Sequence, residues 1–563
     1  MANLISRTLF FVTSPRSPMK MRPEIELLGA RFTGMPWNKD SQIAFIKELA
    51  RLDAFQGAGS ADDPAFSARD RINRAPKAFG FVDIKPVVKL TRPGESLLDD
   101  DLAEEALLRQ LLKFQLPSPY HVEAKDLKGT FAVKPYLEMF RLIYKLGKVS
   151  FDEMLIFGMQ LTHYKKFNDI VQAINDFRVK KAKHAGRYKE FRHKTIVKEI
   201  LRIYAKEISK GDTKTRESDD ASKEKFVKTK ASNLRDYTDA CFRYLRATGL
   251  VSISQRGHSL SIIPEKLDEV RFFLKTIDRH PVFVKDEENY KKYLFDPSLP
   301  VLFTDNRENL EKAAIKHGVV ADQAAAHATT TPTLKKKIKA AIEKRKNELI
   351  RQEISELKTF AQYNSVMETY DDLIAKKLYD EPLMLEWNTW RAMTMLDGGE
   401  IKANLTFDDN GQPLSTAGSK LPDIVCDYGD FSLTVEVTMS SGHRQFEMEG
   451  ESIFRHLGML KSQTGKEAYC FFIAPKINET LIPYVYSLYK TNIPMYGGPS
   501  IVIPLELSLF RQMVEKSHSA GYVPNPENIR AFCEYAREMA KEKDTDQDWY
   551  AAIKGKAADW LTD

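Results

Sequence analysis

Five side chains in the last third of this 563-residue sequence have types and spacings that suit one chemistry. Asp423 follows Pro422, and Glu436 stands thirteen residues on, between Val435 and Val437. A Pro-Asp pair alone is common by chance, so its context gives it weight. The surrounding pattern predicts two strands of a hairpin, each presenting one carboxylate. An acid within a strand of valines is costly to bury unless a cation neutralises it. Carboxylate oxygens that hold Mg²⁺ polarise a phosphate ester and lower the pKa of an attacking water, so Asp423 and Glu436 suit phosphodiester hydrolysis. Glu449 and His456 are seven residues apart. In one continuous helix that spacing is two turns and puts both on a face that can turn toward the hairpin. His456 suits donation to a phosphate or orientation of a water, with a hydrogen-bonded structural histidine as the equal alternative. Glu447 and Glu451 fall on other faces, toward solvent. Upstream, Glu386 lies in Leu385-Glu386-Trp387-Asn388-Thr389-Trp390, an apolar helical stretch where a buried ion pair and a metal-facing carboxylate are the two readings.

These residues need a frame. From about Leu421 the pattern is α/β: a strand from Ile424 to Asp427, a turn through Tyr428-Gly429-Asp430, and a strand from Phe431 to Met439. A helix from Arg444 to Leu460, a strand from Ala468 to Ala474, a strand from Ser500 to Pro504 and a helix from Ser508 to Ser519 follow. The N-terminal half reads differently. A helix from Phe66 to Phe79 closes at Gly80, and two short strands follow up to Pro93-Gly94. A helix from Leu234 to Thr248 closes at Gly249, and a hairpin turns through Gln255-Arg256-Gly257-His258 and ends at Pro264. Helix, glycine, hairpin and proline outline a winged helix, which suits a recognition helix in the major groove and equally occurs as a protein-interaction module. Between the two outlines, Leu107 to Leu116, Tyr136 to Leu146, Phe151 to Leu161 and Phe167 to Phe177 have helical spacing and read as scaffold. Lys206 to Lys230 is polar and aperiodic and reads as a solvated linker, with a phosphate-tracking arm as the minority reading.

Charge divides the chain the same way. The net charge is +7, but residues 1–350 carry 64 Lys and Arg against 46 Asp and Glu, a net of +18, and residues 351–563 carry 21 against 32, a net of −11. A basic part suits a polyanion and an acidic part suits carboxylates gathered round cations, with solvated surface charge as the alternative. The composition changes across the Ala/Thr-rich stretch Gly318 to Pro332 and the charged helix expected from Leu334 to Leu357, so the boundary belongs there. The length calls for several cores. No apolar run reaches a membrane span, and the run Leu9 to Val12 is too short for a secretory signal, so we expect a soluble cytoplasmic protein. Cys241, Cys426, Cys470 and Cys533 are scattered without a C-x-x-C pair, which excludes a disulfide framework and a zinc knuckle.

Several of these motifs together resemble one known family. Leu421-Pro422-Asp423, Val435-Glu436-Val437-Thr438, Gln445-Phe446-Glu447-Met448-Glu449, Arg455-His456 and Phe472-Ile473-Ala474-Pro475 are similar to motifs of the AlwI family of type IIS restriction endonucleases, which includes strand-specific nicking relatives. Ser14-Pro15-Arg16-Ser17-Pro18, Phe66-Ser67-Ala68-Arg69-Asp70-Arg71, Gly80-Phe81 and Arg243-Tyr244-Leu245-Arg246 extend the resemblance over nearly the whole chain. The resemblance implies a multidomain protein with a mainly helical N-terminal half of winged-helix-like subdomains and a C-terminal α/β nuclease domain of the PD-(D/E)XK type. The corresponding divisions are 1–110 and 111–305 for recognition, 306–360 for a linker with the charged helix, and 361–563 for the nuclease. It implies binding of a short asymmetric site in double-stranded DNA and Mg²⁺-dependent cleavage a few base pairs to one side. Asp423, Glu436, Glu449, His456 and Glu386 take the catalytic positions, with Asp423, Glu436 and Glu449 on the metal. Where the superfamily's lysine would stand, two residues after Glu436, this chain has Thr438. Arg69, Arg71, Arg74 and Lys77 on the first outlined helix, and Arg235, Arg243 and Arg246 on the second, are the DNA-contacting candidates. A monomer that recruits a second nuclease domain or a partner subunit for the second strand is expected. A nicking enzyme and a non-catalytic DNA-binding protein are the alternatives.

Overall fold

The run Phe431–Val437 is buried at all but its last residue, and a strand buried on both faces belongs in the middle of a sheet covered on both sides. It lies at the centre of a five-stranded mixed sheet in the order Val502–Glu506, Glu467–Ala474, Phe431–Val437, Ile424–Asp427, Glu400–Ala403. The first two neighbouring pairs are parallel and the last two antiparallel. The structure, a computed structural model, describes residues 2–52, 63–254, 257–396, 398–418, 420–521 and 525–561. It divides into two compact units, residues 1–254 with 258–342, and residues 343–563 with 255–257. The helix Thr331–Lys358 carries the chain from one to the other. Among the described residues no helix is long and apolar enough to cross a membrane.

In the C-terminal unit the helix Glu381–Leu396 is buried at every position from Leu383 to Leu396, polar residues such as Glu386, Asn388 and Arg391 included. The expected helix from Arg444 to Leu460 is in fact two, His443–Glu449 and Ser452–Thr464. Gly450 makes the joint: a Cβ there would sit 2.5 Å from the Phe446 carbonyl oxygen, so the chain closes where only glycine fits. The hydroxyl of Ser452 donates to the Glu449 carbonyl at 3.3 Å and satisfies an end of the first helix. The strand expected to reach Met439 ends at Val437, although the Thr438 N–H continues the ladder to the Ile473 carbonyl at 3.1 Å.

The N-terminal unit is mainly helical. The helix expected from Phe66 to Phe79 is broken at Arg74 into Pro64–Asn73 and Ala75–Ala78, because Pro76 cannot continue the hydrogen-bond ladder of the preceding turn. The two short strands after it pair antiparallel, Val82–Asp83 with Lys89–Leu90. Pro93 and Gly94 open a new helix, Arg92–Leu98, capped by the Thr91 hydroxyl, instead of ending the strand. Lys223–Arg246 is one helix of 24 residues, so the expected linker from Lys206 to Lys230 supplies two turns of it. The Ser222 side chain caps it, and Phe226 packs edge-on to Tyr204 at 5.5 Å. The strands Val251–Ile253 and Ser259–Ile262 pair as expected, and Lys148–Ser150 adds a third strand beside Ser259–Ile262. The hairpin turn residues Gln255 and Arg256 lie outside the described residues. The expected division between residues 110 and 111 falls inside the helix Ala103–Lys113. Segments from either side of it share a core: Ala2–Leu4 pairs with His121–Glu123, and Phe11 packs on Tyr136.

Candidate active site

Strand register brings the first two acids together. Ile424 pairs with Val435, so one step further along the antiparallel ladder sets Asp423 across from Glu436. An Asp423 carboxylate oxygen accepts the Val437 N–H at 2.7 Å. Its own carbonyl accepts the Asn404 N–H at 2.9 Å, and the Asn404 side chain donates to the Pro422 carbonyl at 2.7 Å. The acid at the strand mouth is therefore held from both sides. Glu436 is 6% exposed. Its Oε1 lies 2.8 Å from Nδ1 of the buried His456. With Glu436 ionised, that nitrogen carries the proton and donates it.

Glu449 reaches the same place from the end of the helix His443–Glu449, where the Thr438 hydroxyl donates to its carboxylate. The break at Gly450 means that Glu449 and His456 do not share one helix face; each approaches Glu436 on its own helix. Glu386, 2% exposed, comes from the core helix and accepts the Ala417 N–H at 2.9 Å. Among the described residues no Lys or Arg is ion-paired to it. The ion pair of that helix is instead Arg391 with Glu353 at 3.0 Å, with Arg391 also lying 4.4 Å over the Trp387 ring.

Electrostatically the four acids form one system. Burial, then the Asp423 charge, pushes the Glu386 carboxyl well above the usual range. Burial, then Glu436, does the same to Asp423. Burial, then Glu449, raises Glu436, with Arg455 pulling the other way. Burial raises Glu449, opposed by its bond from Thr438 and by His456. Each carboxylate is thus destabilised as an anion by burial, and Asp423, Glu436 and Glu386 by a neighbouring acid as well, which is the condition that a divalent cation relieves. Among the described residues no three His, Cys, Asp or Glu side chains stand close enough to enclose an ion alone. Mg²⁺ fits such an open set, because one or two carboxylates commonly hold it while water and phosphate oxygens complete its octahedron.

The N-terminal unit sorts the seven basic candidates. Arg69 bonds Gln42 at 3.1 Å and pairs with Asp63 at 3.3 Å, and Arg74 pairs with Asp70 at 2.5 Å. Arg71 is tied to the buried Glu24. Lys77 lies 4.7 Å over the Tyr120 ring, and burial lowers its pKa. Arg243 pairs with Asp239 at 3.1 Å. Arg246 is 1% exposed and sits in the core, so in this arrangement it does not face a ligand. Arg235 is exposed and, among the described residues, has no ion-pair partner. On the same helix face, seven and three residues earlier, Lys228 and Ser232 are exposed too. The sequence reading starts this helix at Leu234, which leaves Lys228 in the expected linker and Ser232 outside any element.

The sequence of residues 78–510 matches the family described as AlwI restriction endonuclease. The chain belongs to that family. It is accordingly a restriction nuclease whose partner is DNA. Among solved structures, the small subunit R.BspD6I2 of the heterodimeric restriction endonuclease R.BspD6I is similar at 25% identity over 34% of this chain and 98% of its own, with a TM-score of 0.29. The BpuJ1 endonuclease binding domain, solved in complex with pyrene- and phenanthrene-modified DNA, is similar at 12% identity over 50% of this chain and 91% of its own, with a TM-score of 0.31. No curated protein matches the chain.

Within the family match lies one residue whose work the motif reading did not bring out. Gln445 is fully buried, and its amide donates to the Ser440 and Lys476 carbonyls at 3.0 Å each, while its oxygen accepts the Asn478 N–H at 2.7 Å. It ties the loop leading to Glu449 onto the end of the strand Glu467–Ala474. A buried glutamine at the start of a helix beside candidate acids was the available signal.

Proposed function

We propose that this family member is a Mg²⁺-dependent type IIS endonuclease, which binds a short asymmetric site in double-stranded DNA and cuts a few base pairs to one side. The observation that carries the reading is the group of four buried or half-buried carboxylates, Asp423, Glu436, Glu449 and Glu386, round the end of one sheet, each pushed up by burial and three of them also by a neighbouring acid. In this reading residues 343–563 are a nuclease unit of the PD-(D/E)XK type, and residues 1–342 recognise DNA with winged-helix-like elements. Asp423 and Glu436 would hold the Mg²⁺, with Glu449 as the third candidate and water completing its shell, and the ion would neutralise the scissile phosphate and acidify a water. Glu449, oriented by the Thr438 hydroxyl, accepts the proton of the attacking water. Thr438 thereby serves where the superfamily's lysine would stand. His456 fixes the Glu436 carboxylate through Nδ1, and Glu386, anchored on the Ala417 N–H, holds negative charge behind Asp423. In the N-terminal unit the exposed face of Lys228, Ser232 and Arg235 enters the major groove ahead of the hairpin.

Incubation of supercoiled plasmid with the protein and Mg²⁺, followed by run-off sequencing of both strands, tests this reading. We expect breaks at a fixed distance on one side of a shared sequence. Breaks scattered without a shared sequence, or breaks unaffected by chelation of Mg²⁺, overturn it.

A further inference from the structure

Among the described residues of the N-terminal unit, a dense run of positive charge, most of it without ion pairs, lies outside the elements given a DNA-binding role above. Residues 178–198 contain nine Lys and Arg and a single acid, Glu190. They form the end of the helix Phe167–Lys183, a short connection, and most of the helix Tyr188–Ile203. Two of the nine cations are anchors. Arg178 pairs with Glu153 at 2.8 Å and donates to the Lys148 carbonyl at 2.6 Å. Arg192 pairs with Asp152 at 2.5 Å, and the Tyr188 hydroxyl donates to the same carboxylate at 2.6 Å. Phe177 stacks on Phe191 at 5.5 Å between the two helices, and Ile196 and Ile200 are buried on the inner side of the second. The hairpin is therefore fixed to the first turn of the helix Phe151–Ile156 and to its own core.

The other seven cations, Lys180, Lys181, Lys183, Arg187, Lys189, Lys194 and Lys198, are all exposed. None is ion-paired among the described residues; Lys181 alone has a ring contact, 4.4 Å over Tyr188. Some exposed cations elsewhere in the unit do stand beside acids, as Lys312 does with Glu308 at 2.6 Å and Lys292 with Glu288 at 2.7 Å. A surface selected for solubility alone mixes the signs in that way. Lys194 and Lys198 are one helical turn apart, and together with His193, Val197 and Leu201 they line an open depression of about 470 Å³. From Lys189 to Lys198 the helix advances about 14 Å, the axial length of about four base pairs.

We propose that this hairpin is a phosphate-backbone clamp, which holds duplex DNA without reading its sequence and outside the bases that define the site. The proposal rests on the reading that residues 1–342 bind double-stranded DNA. A single-sign surface that meets phosphates alone contributes positioning and affinity through counterion release, and no discrimination.

The test uses the full-length protein with three changes at a time, Lys189→Gln, Lys194→Gln and Lys198→Gln in one variant and Lys180→Gln, Lys181→Gln and Lys183→Gln in the other. Lys312→Gln is the control. Binding to a labelled 40-base-pair duplex of arbitrary sequence, and to one carrying the cleavage site, is measured from 50 to 200 mM salt. Each lost phosphate contact lowers the slope of log K against log salt by about 0.9, so each triple variant loses up to about 3 on both duplexes alike. The control keeps the wild-type slope, and circular dichroism stays that of the wild type. Triple variants with wild-type slopes on a duplex that the wild type does bind overturn the clamp while leaving site-specific cleavage standing. A fall confined to the site-bearing duplex overturns it as well, since the hairpin then reads bases. Absence of any defined cleavage by the wild type is the separate failure of the nuclease reading.

Discussion

Replacing His456 with alanine separates the two readings of that residue, because its Nδ1 is bonded to a candidate catalytic acid. The imidazole and the Glu436 carboxylate are 5% and 6% exposed and meet at 2.8 Å. Hydrogen bonds to charged groups contribute about 1.5–3 kcal/mol, and an acceptor left buried without its donor costs an amount of the same order. For a unit the size of residues 343–563 each kcal/mol is worth about 2–4 °C, so His456→Ala lowers the melting temperature by about 3–12 °C. If His456 also sets the carboxylate for chemistry, the cleavage step slows by about 10² to 10⁴-fold. Thermal melts followed by circular dichroism give the first quantity, and single-turnover cleavage of plasmid in Mg²⁺ the second. His456→Asn keeps a donor near Nδ1: it restores most of the stability, and recovery of rate alongside it marks the residue as a positioning group for Glu436. A lowered melting temperature with an unchanged cleavage rate refutes the reasoning and leaves a core histidine. Wild-type behaviour in both refutes the hydrogen bond itself.

Three further outcomes are expected. In the N-terminal unit burial, then the charge of Lys77, depresses the pKa of His121 to about 4. Since the unfolded chain takes up the proton near pH 6.5, stability is fully present above pH 6.5 and falls by roughly 3 kcal/mol as pH drops toward 4; His121→Gln flattens that fall, and equilibrium unfolding across this window checks it. Arg235→Ala and Lys228→Ala leave the melting temperature unchanged and weaken DNA binding, the former by about 1–3 kcal/mol of site discrimination if it reads a base, whereas the buried Arg246→Ala lowers the melting temperature; competition binding and thermal melts distinguish these. The free protein sediments as a monomer, and any second-strand cut depends on protein concentration, because one carboxylate cluster serves one phosphodiester at a time; a constitutive dimer contradicts this.

What the sequence revealed and what it hid follow from the range of the forces involved. The strands around Asp423 and Glu436 were legible because Phe431, Leu433, Val435 and Val437 alternate with Ser432, Thr434 and Glu436, and because Gly429, with φ +90, marks the turn before them. Burial of Glu386 was legible from the tryptophans around it; the spacing left a buried ion pair and a metal-facing carboxylate open, and only the family resemblance grouped it with Asp423, which approaches it through the fold. The proximity of Glu449 and His456 to Glu436 was expected for a reason that does not hold, as Gly450 divides the helix. The length of Lys223–Arg246 was hidden because its first two turns are held by Phe226 on Tyr204 and by Thr229, with too few apolar residues to set up a periodic signal. Which arginines are free for a ligand depends on distant partners such as Glu24 for Arg71. No local pattern encodes that.

The central claim is that the acids at the end of the sheet cut DNA while the other unit holds it. Asp423→Ala and Glu436→Ala, compared with the wild type for binding to a site-bearing duplex and for plasmid cleavage in Mg²⁺, test it most directly. The account predicts cleavage abolished in both variants with binding affinity retained, because affinity comes from the basic unit. Cleavage near the wild-type rate in either variant contradicts it.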